Sequence, residues 1–326
     1  MRFLVRVAAL SLGLALLSQR AEAVQPIARP WTGQTVDAER VRYRSAVVRG
    51  IRIFYREAGD PAKPAMLLLH GFPASSHMFR ELMPLLAKDF YLVAPDYPGA
   101  GFSDYPSAGT FTPTFANLAD LMSEFVGQVG LSNILVYMQD FGGPVGFRMA
   151  VAHPEWIRGL IIQNANAYVE GIAPEQLAVI RSAAKGVTDE QRRQAEQLMS
   201  RAFTLVMYGT GVRDFNSIDP TGWNLGLWIL ANPEARRIQT ELMLDYHSNV
   251  ADYPRWQAFL RGHRPKLLVV WGRNDPVFLP AGATAYQRDL PGAQVRFLET
   301  GHFALEEDAL VIAREILRTF AGPRAD

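Results

Sequence analysis

The sequence predicts an α/β fold, a doubly wound and mostly parallel sheet with a helical lid inserted after the sixth strand. Short apolar segments such as Met66–His70 and Ile134–Met138 alternate with segments of helical periodicity, and this alternation indicates a parallel sheet. Residues 165–260 break the alternation with a stretch that is rich in helix-forming and aromatic residues. The chain has 326 residues, of which 49% are apolar and 20% charged, so a disordered or fibrous chain is excluded.

The predicted elements of the core follow one another along the chain. A hairpin turn at Arg49-Gly50 joins two short strands, and each later strand is an apolar run suited to burial on both faces. The helices place apolar residues three and four positions apart. Strands are predicted at Val47–Val48, Ile51–Tyr55, Met66–His70, Tyr91–Ala94, Ile134–Met138, Gly159–Gln163, Leu267–Trp271 and Gln294–Leu298. Helices are predicted at Ser76–Lys88, Phe115–Val129, Pro144–Ala152, Ala281–Asp289 and Ala304–Phe320.

The N-terminal segment has the three parts of a secretory signal peptide. Arg2 and Arg6 are positive, Val7–Leu17 is an uninterrupted apolar run, and the Ala-Glu-Ala at 21–23 offers small residues to a signal peptidase. The run is too short for a membrane-spanning helix, which needs about 20 apolar residues. We therefore expect residues 1–23 to be removed and the protein to be periplasmic or secreted, with no membrane attachment after cleavage.

We divide the mature chain into three parts. Residues 24–46 are predicted to form a polar N-terminal arm, residues 47–164 and 261–322 the α/β core, and residues 165–260 a helical cap. A helix-rich insertion between two strands of such a sheet usually covers the carboxyl ends of the strands.

Net charge and cysteine content exclude several classes of function. The formal net charge of +1 gives no electrostatic basis for binding nucleic acid. The chain has no cysteine, so disulfide scaffolds, thiolate metal sites and cysteine nucleophiles are excluded. The histidines have no metal-ligand spacing, and we expect neither a metal nor another cofactor.

The strongest chemical signal is the segment Val136–Gly146 (VYMQDFGGPVG). An apolar strand runs directly into Asp140, which two glycines and a helix follow, and this is the pattern of a nucleophile elbow. The N–H of Phe141 and the start of the helix favour negative charge at residue 140. On this segment alone, an aspartate that caps the next helix is an equally good interpretation.

Three further segments favour the catalytic interpretation. The HGFP sequence after a buried strand presents the N–H of Phe72, which with that of Phe141 would form an oxyanion hole. Asp275 and His302 each lie in a loop that follows a later strand. The order nucleophile, acid, histidine is typical of a hydrolase triad, here Asp140, Asp275 and His302.

These motifs resemble the α/β-hydrolase superfamily over residues 47–320. They comprise HGFP, the segment Pro95–Asp104 (PDYPGAGFSD), the elbow, and the loops that carry the acid and the histidine. Within the superfamily the chain resembles the aspartate-nucleophile branch of haloalkane dehalogenases, haloacetate dehalogenases and epoxide hydrolases, and it has no Gly-x-Ser-x-Gly. The resemblance implies the α/β-hydrolase fold. The aromatic lid indicates a mostly apolar pocket, so we expect a small apolar organic substrate that reacts with water, in a monomer or homodimer.

An aspartate nucleophile favours substitution at a saturated carbon, because its attack there yields a stable alkyl ester, whereas attack on an ester carbonyl yields an anhydride. Asp140 would open a carbon–oxygen or carbon–halogen bond. Water activated by His302, itself oriented by Asp275, would then hydrolyse the ester.

The epoxide hydrolases and the two dehalogenase subfamilies differ in the group that leaves the attacked carbon. An epoxide leaves as an alkoxide and needs a proton donor such as a tyrosine hydroxyl. The resemblance implies a tryptophan after the nucleophile in haloalkane dehalogenases and an arginine in haloacetate dehalogenases, whereas this chain has Phe141. Epoxide hydrolases carry a lid tyrosine upstream of the acid, a position that Tyr246 matches. We therefore predict an epoxide hydrolase with Tyr246 as a catalytic donor.

Alternatives remain at the lid. Tyr246 is also consistent with an aromatic residue of the lid core. Dehalogenation stays open because lid tryptophans could bind a halide, and binding of a small ligand without turnover is a further alternative that the intact triad opposes. The candidate substrate-binding residues of the lid are Tyr168, Tyr208, Trp223 and Trp228.

Overall fold

The computed structural model describes residues 39–321, so the predicted signal peptide and most of the predicted arm lie outside it. Its strands are β1 (Arg42–Val48), β2 (Ile51–Ala58), β3 (Ala65–Leu69), β4 (Tyr91–Pro95), β5 (Ile134–Gln139), β6 (Ile157–Gln163), β7 (Lys266–Gly272) and β8 (Gln294–Leu298). They form one eight-stranded sheet in the order β1-β2-β4-β3-β5-β6-β7-β8. The pairs β1·β2 and β2·β4 are antiparallel and the other pairs are parallel, which confirms the predicted α/β fold.

Helices cover both faces of the sheet. One apolar layer is built by the helices at residues 115–128, 142–152, 246–263 and 280–289, and the other by the helices at residues 82–86 and 305–320. Strands β3, β5, β6 and β7 are buried along almost their whole length. This burial on both faces explains their continuous apolar sequences. The α-helices are α1 (Leu82–Leu86), α2 (Phe115–Gln128), α3 (Gly142–Ala152), α4 (Pro174–Ala183), α5 (Asp189–Leu198), α6 (Arg201–Gly209), α7 (Pro220–Leu230), α8 (Pro233–Leu244), α9 (Tyr246–His263), α10 (Pro280–Asp289) and α11 (Leu305–Phe320).

The N-terminal hairpin is longer than predicted. Strand β1 begins at Arg42 and pairs with β2 along its full length, so residues 42–46 belong to the sheet and not to the arm. The apolar pattern is weak there because β1 is an edge strand with one face in solvent. The turn itself is as predicted: Arg49 and Gly50 adopt φ values of 52° and 77°.

The predicted helix at 76–88 is broken in two. A 3₁₀ turn at Ser76–Phe79 precedes α1. Pro84 has no N–H to donate to the carbonyl of Arg80, so one regular helix cannot run through this segment.

The segment between β6 and β7 is helical and contains α4 to α9, with no strand among these described residues. Helix α9 continues to His263 and ends where Arg264 adopts a φ of 50°. The predicted cap boundary at residue 260 therefore falls inside a helix. The second half of α9 packs on α3, where Trp256 stacks on Phe147 at 5.2 Å between ring centroids.

Ion pairs join the helical segment to the core. Arg80, which precedes α1, lies 2.6 Å from Glu306 of α11 and 3.1 Å from Asp219, the N-cap residue of α7. The Glu306 side chain is almost fully buried, so it relies on the guanidinium for compensation of its charge. Within residues 39–321, no helix has the length and apolar character needed to cross a membrane.

Candidate active site

Asp140 lies in the sharp turn between β5 and α3. It adopts a φ of 50°, and the helix begins two residues later at Gly142. A Cβ on Gly142 would lie 2.2 Å from the carbonyl oxygen of Leu69 at the end of β3, so only glycine allows helix α3 to approach strand β3 this closely. The turn projects the Asp140 carboxyl group beyond the carboxyl end of β5, as the elbow pattern predicts.

Two backbone N–H groups hold the Asp140 carboxylate. Phe72 donates to Oδ1 over 2.7 Å, and the N–H of Phe141 also bonds to this carboxylate. Burial raises the pKa of Asp140, while His302 and the two N–H groups oppose this by favouring the ionised form. In the resting structure the two predicted oxyanion-hole donors therefore bind the carboxylate of Asp140 itself.

His302 lies in the loop between β8 and α11 and is fully buried. Its Nδ1 is 2.8 Å from Oδ2 of Asp275, and its Nε2 is 3.8 Å from Oδ2 of Asp140. Burial lowers the pKa of His302, but the charge and hydrogen bond of Asp275 and the charge of Asp140 outweigh burial, so the pKa is raised overall. The structure thus brings the three predicted triad residues together.

Asp275 is held by four groups. Its Oδ1 accepts the N–H groups of Val277 and Phe278 at 2.7 and 3.1 Å, and its Oδ2 accepts the Asn164 amide at 2.7 Å and faces His302. The other three donors fix the carboxylate in place, so that it accepts the Nδ1–H of His302. This hydrogen bond orients the imidazole.

Two polar residues of this site were not among the predicted site residues, although Gln139 before the nucleophile resembles some dehalogenases. Asn164 follows β6 with a φ of 42° and links Asp275 to the N–H of Gly272. Gln139, the last residue of β5, is fully buried against His302. The sequence signal that could have identified them is a polar residue at the carboxyl end of an otherwise apolar strand, β5 or β6.

A cavity of about 220 Å³ opens beside Asp140. Its walls are mostly apolar, and they include Phe72, Phe141, Val179, Ile180, Phe203 and Phe278. The polar side chains are Gln176, Gln191, Gln194, Tyr246 and His247, and nowhere in residues 39–321 do three or more His, Asp or Glu side chains form a metal-binding group. The cavity therefore suits a small apolar molecule that presents one reactive carbon to Asp140.

Tyr246 is the first residue of α9 and lines the same cavity. Its ring packs against Phe115 and Phe141, with centroids 6.0 and 6.3 Å away. Its hydroxyl is buried and makes no hydrogen bond of good geometry within residues 39–321, although the Tyr253 hydroxyl is close enough to affect its pKa. Burial, with contributions from Tyr253 and Asp140, raises the pKa of Tyr246 well above its ordinary value. The phenol is therefore protonated and can donate to a bound molecule.

The other four lid aromatics predicted to bind substrate do not line this cavity. Tyr168 donates to Asp289, and Tyr208 stacks on Phe303 at 4.0 Å. Trp223 stacks on Phe215, and the Trp228 side chain lies 61% exposed beside Phe102. Their aromatic character serves packing and surface contacts, which the sequence cannot distinguish from a binding role.

Sequence comparisons show which known proteins this chain resembles. A family model described as alpha/beta hydrolase fold matches residues 64–309. The Saccharomyces cerevisiae protein named uncharacterized hydrolase YNR064C is 37% identical over 282 residues, 86% of this chain and 97% of that protein. A haloalkane dehalogenase of Bradyrhizobium diazoefficiens is 33% identical over 134 residues, 41% of this chain and 40% of that protein.

Solved structures share the fold. Haloalkane dehalogenase DbeA from Bradyrhizobium elkani superposes with a TM-score of 0.71 and 22% identity, covering 85% of this chain and 96% of that one. The epoxide hydrolase CorEH superposes with a TM-score of 0.68 and 19% identity, covering 86% and 99%. At these identities the likeness concerns the fold and does not choose a substrate.

Proposed function

The chain belongs to the α/β-hydrolase fold family, and from this premise we propose that it hydrolyses epoxides through an alkyl ester on Asp140. Its sequence is similar to haloalkane dehalogenases, and its fold is shared with an epoxide hydrolase. The observation that carries the proposal is that Tyr246, whose buried hydroxyl stays protonated, lines the same cavity as Asp140. A protonated phenol there can give its proton to the alkoxide that an opening epoxide releases.

In the first step, Oδ2 of Asp140 attacks an epoxide carbon. Oδ1 is held by the N–H of Phe72, and we assign the attack to Oδ2, the oxygen that lies 3.8 Å from Nε2 of His302. The carbon–oxygen bond of the ring breaks, and the Tyr246 hydroxyl transfers its proton to the alkoxide. The product of this step is a hydroxyalkyl ester of Asp140 and a tyrosinate.

In the second step, His302 takes a proton from water, whose oxygen attacks Cγ of the ester. The oxyanion forms on Oδ1, where the N–H of Phe72 already lies, and the N–H of Phe141, which also bonds to the resting carboxylate, is the second donor. Collapse of the intermediate releases the diol, which takes the proton from His302. The Asp140 carboxyl proton then restores the Tyr246 hydroxyl.

Carbon–halogen cleavage is the second candidate, because the matched haloalkane dehalogenase segments are up to 37% identical to this chain and the same ester chemistry would serve. A leaving halide is held by several N–H or O–H donors. The rings of Phe72 and Phe141 offer none, and Trp223 and Trp228 are absent from the cavity lining. This donor set favours the epoxide.

We also propose that the protein is exported. The support is the leader pattern of residues 1–23, with its basic start, apolar run and small residues before the cleavage point. The mature enzyme would act in the periplasm or outside the cell.

Replacing Tyr246 with phenylalanine tests the leaving group. We expect ring opening of styrene oxide to slow by about 10²-fold or more, because the alkoxide loses its proton donor. Alkylation by 1-bromohexane should change by less than about 3-fold, since bromide needs no proton. Single-turnover formation of the alkyl-enzyme, followed by rapid quench and intact mass, measures both rates.

Tyr168→Phe is the matched control, because it removes another buried phenol that lies outside the cavity lining. It should leave both rates near those of the wild type. Equal slowing of the two reactions by Tyr246→Phe would make Tyr246 a packing residue and remove the main support for the epoxide.

The pH dependence of the two steps should differ. Hydrolysis needs neutral His302, so the rate of hydrolysis falls as pH drops through the pKa of His302. In the free enzyme Asp275 and Asp140 raise this pKa above the ordinary value for histidine. Ester formation removes the charge of Asp140 and one cause of that rise, so the pKa of His302 should be lower in the alkyl-enzyme. Decay of the alkyl-enzyme between pH 5 and 9 (about two units either side of neutrality) and an NMR titration of free His302 measure the two values. An equal or higher value in the alkyl-enzyme would contradict this mechanism.

A further inference from the structure

The contact between Gln139 and His302 lies at the centre of the site. Gln139 is fully buried, and its amide nitrogen is 2.8 Å from Nε2 of His302. Its amide oxygen is also buried and has no hydrogen-bond partner within residues 39–321. The side chain is therefore held by one hydrogen bond, to the imidazole that would act as the base.

This contact occupies Nε2 of His302, the atom that would accept the proton from water. The hydrogen of neutral His302 resides on Nδ1, which donates to Asp275, so Nε2 carries a single lone pair in the plane of the ring. An amide nitrogen can only donate, and the Gln139 N–H therefore points at that lone pair. A water molecule cannot give its proton to Nε2 until this amide moves aside.

The unpartnered oxygen of Gln139 lies close to the reacting carboxyl group. A Cβ built on Gly71 would lie 2.5 Å from this oxygen and 2.5 Å from Oδ1 of Asp140, so both atoms border the same small space. An acceptor beside Cγ of Asp140 is well placed for a water molecule that attacks that carbon. Glycine at position 71 allows these two side chains to pack directly against the backbone of the HGFP segment, because any Cβ there would clash with both.

We propose that Gln139 is a positioning residue for ester hydrolysis, covering Nε2 of His302 in the resting enzyme and then orienting the attacking water. This inference rests on the proposed alkyl ester of Asp140. When the ester forms, the amide rotates and its oxygen accepts one hydrogen of the water. The other hydrogen goes to Nε2 as the water oxygen bonds to Cγ of Asp140. Rotation breaks only one hydrogen bond of the amide, the one to Nε2 of His302.

The first experiment needs no substrate. Gln139→Met keeps the length of the side chain and removes the amide, so neutral His302 loses the hydrogen bond that stabilises it. We expect the pKa of His302 to rise by more than about 0.5. NMR of protein labelled with ¹⁵N-histidine measures this value and the tautomer, with His302→Gln used to assign the signal.

The second experiment separates the two steps of catalysis. With styrene oxide, Gln139→Met should form the alkyl-enzyme within about 3-fold of the wild-type rate and hydrolyse it about 10- to 100-fold more slowly. The alkyl-enzyme should then accumulate in intact mass spectra during turnover. Gln139→Glu keeps an acceptor for the water but places a charge beside the imidazole, so hydrolysis should recover only at higher pH.

Gln163→Met is the matched control. Gln163 is an equally buried glutamine at the paired position of β6, and it donates to the backbone oxygen of His302 at 3.3 Å, not to Nε2. Its substitution removes a buried amide at a similar distance from the site, and the pKa of His302 should stay at the wild-type value.

An unchanged pKa of His302 in Gln139→Met, or equal slowing of ester formation and ester hydrolysis, would overturn the role of Gln139. The same experiment is run in parallel with 1-bromohexane, because either reagent would give an ester on Asp140. Failure of the role of Gln139 can then be distinguished from failure of the epoxide proposal. If the wild type reacts with bromohexane alone, the epoxide proposal fails and Gln139 is tested on the bromohexane ester. If neither reagent reacts, the NMR titration decides whether Gln139 holds the base.

Discussion

Asp140→Asn is expected to lower turnover by more than about 10³-fold while the protein remains folded. A neutral amide cannot attack carbon to form an ester, so the loss affects the first step. Asparagine is the suitable replacement because it tolerates the φ of 50° at this turn, and its oxygen still accepts the N–H of Phe72. Steady-state diol release and circular dichroism measure activity and folding together.

Asp96→Asn provides the comparison. Asp96 is a second fully buried carboxylate that accepts two backbone N–H groups, from Ser76 and Phe102, and it does not line the cavity. Its substitution should lower stability and leave the activity of the folded fraction unchanged. Residual activity above one tenth of wild type in Asp140→Asn would exclude Asp140 as the nucleophile.

His302→Gln is expected to trap the alkyl-enzyme. Without the base, hydrolysis of the ester should slow by more than about 10³-fold, whereas Asp140 can still attack. Intact mass spectrometry should show the protein plus the whole mass of styrene oxide. With 1-bromohexane, an adduct of the alkyl group without bromide would instead indicate carbon–halogen cleavage.

Two variants control this experiment. His77→Gln removes a histidine that contacts Thr221 outside the cavity, and it should turn over without accumulating an adduct. The double variant Asp140→Asn with His302→Gln should show no adduct, which would identify Asp140 as the alkylated residue. Normal turnover by His302→Gln would exclude His302 as the base.

The order of elements and the triad were predictable because their signals are local. Apolar runs and helical spacing reveal the strands and helices, and the residues after β5, β7 and β8 are the candidate triad. Parallel strands all present their carboxyl ends at one edge of the sheet, so the fold class by itself implies that Asp140, Asp275 and His302 converge. The distances of 2.8 and 3.8 Å around His302 agree with that expectation.

The lid was less predictable. Tyr246 faces the cavity, whereas Tyr168, Tyr208, Trp223 and Trp228 do not line it, although all five are aromatic residues of the same helical segment. Which face of a lid helix covers the site depends on packing between helices that are distant in sequence. Composition alone therefore cannot choose among them.

The sequence by itself determined the α/β fold, the elbow at Asp140 and the order of the triad, because each depends on a short segment with its own periodicity or turn geometry. Only the tertiary structure decided that Tyr246 lines the cavity of Asp140, that Asn164 holds Asp275 and that Gln139 covers His302. The physical reason is that these are contacts between side chains on different elements, and burial and hydrogen bonding there depend on three-dimensional packing.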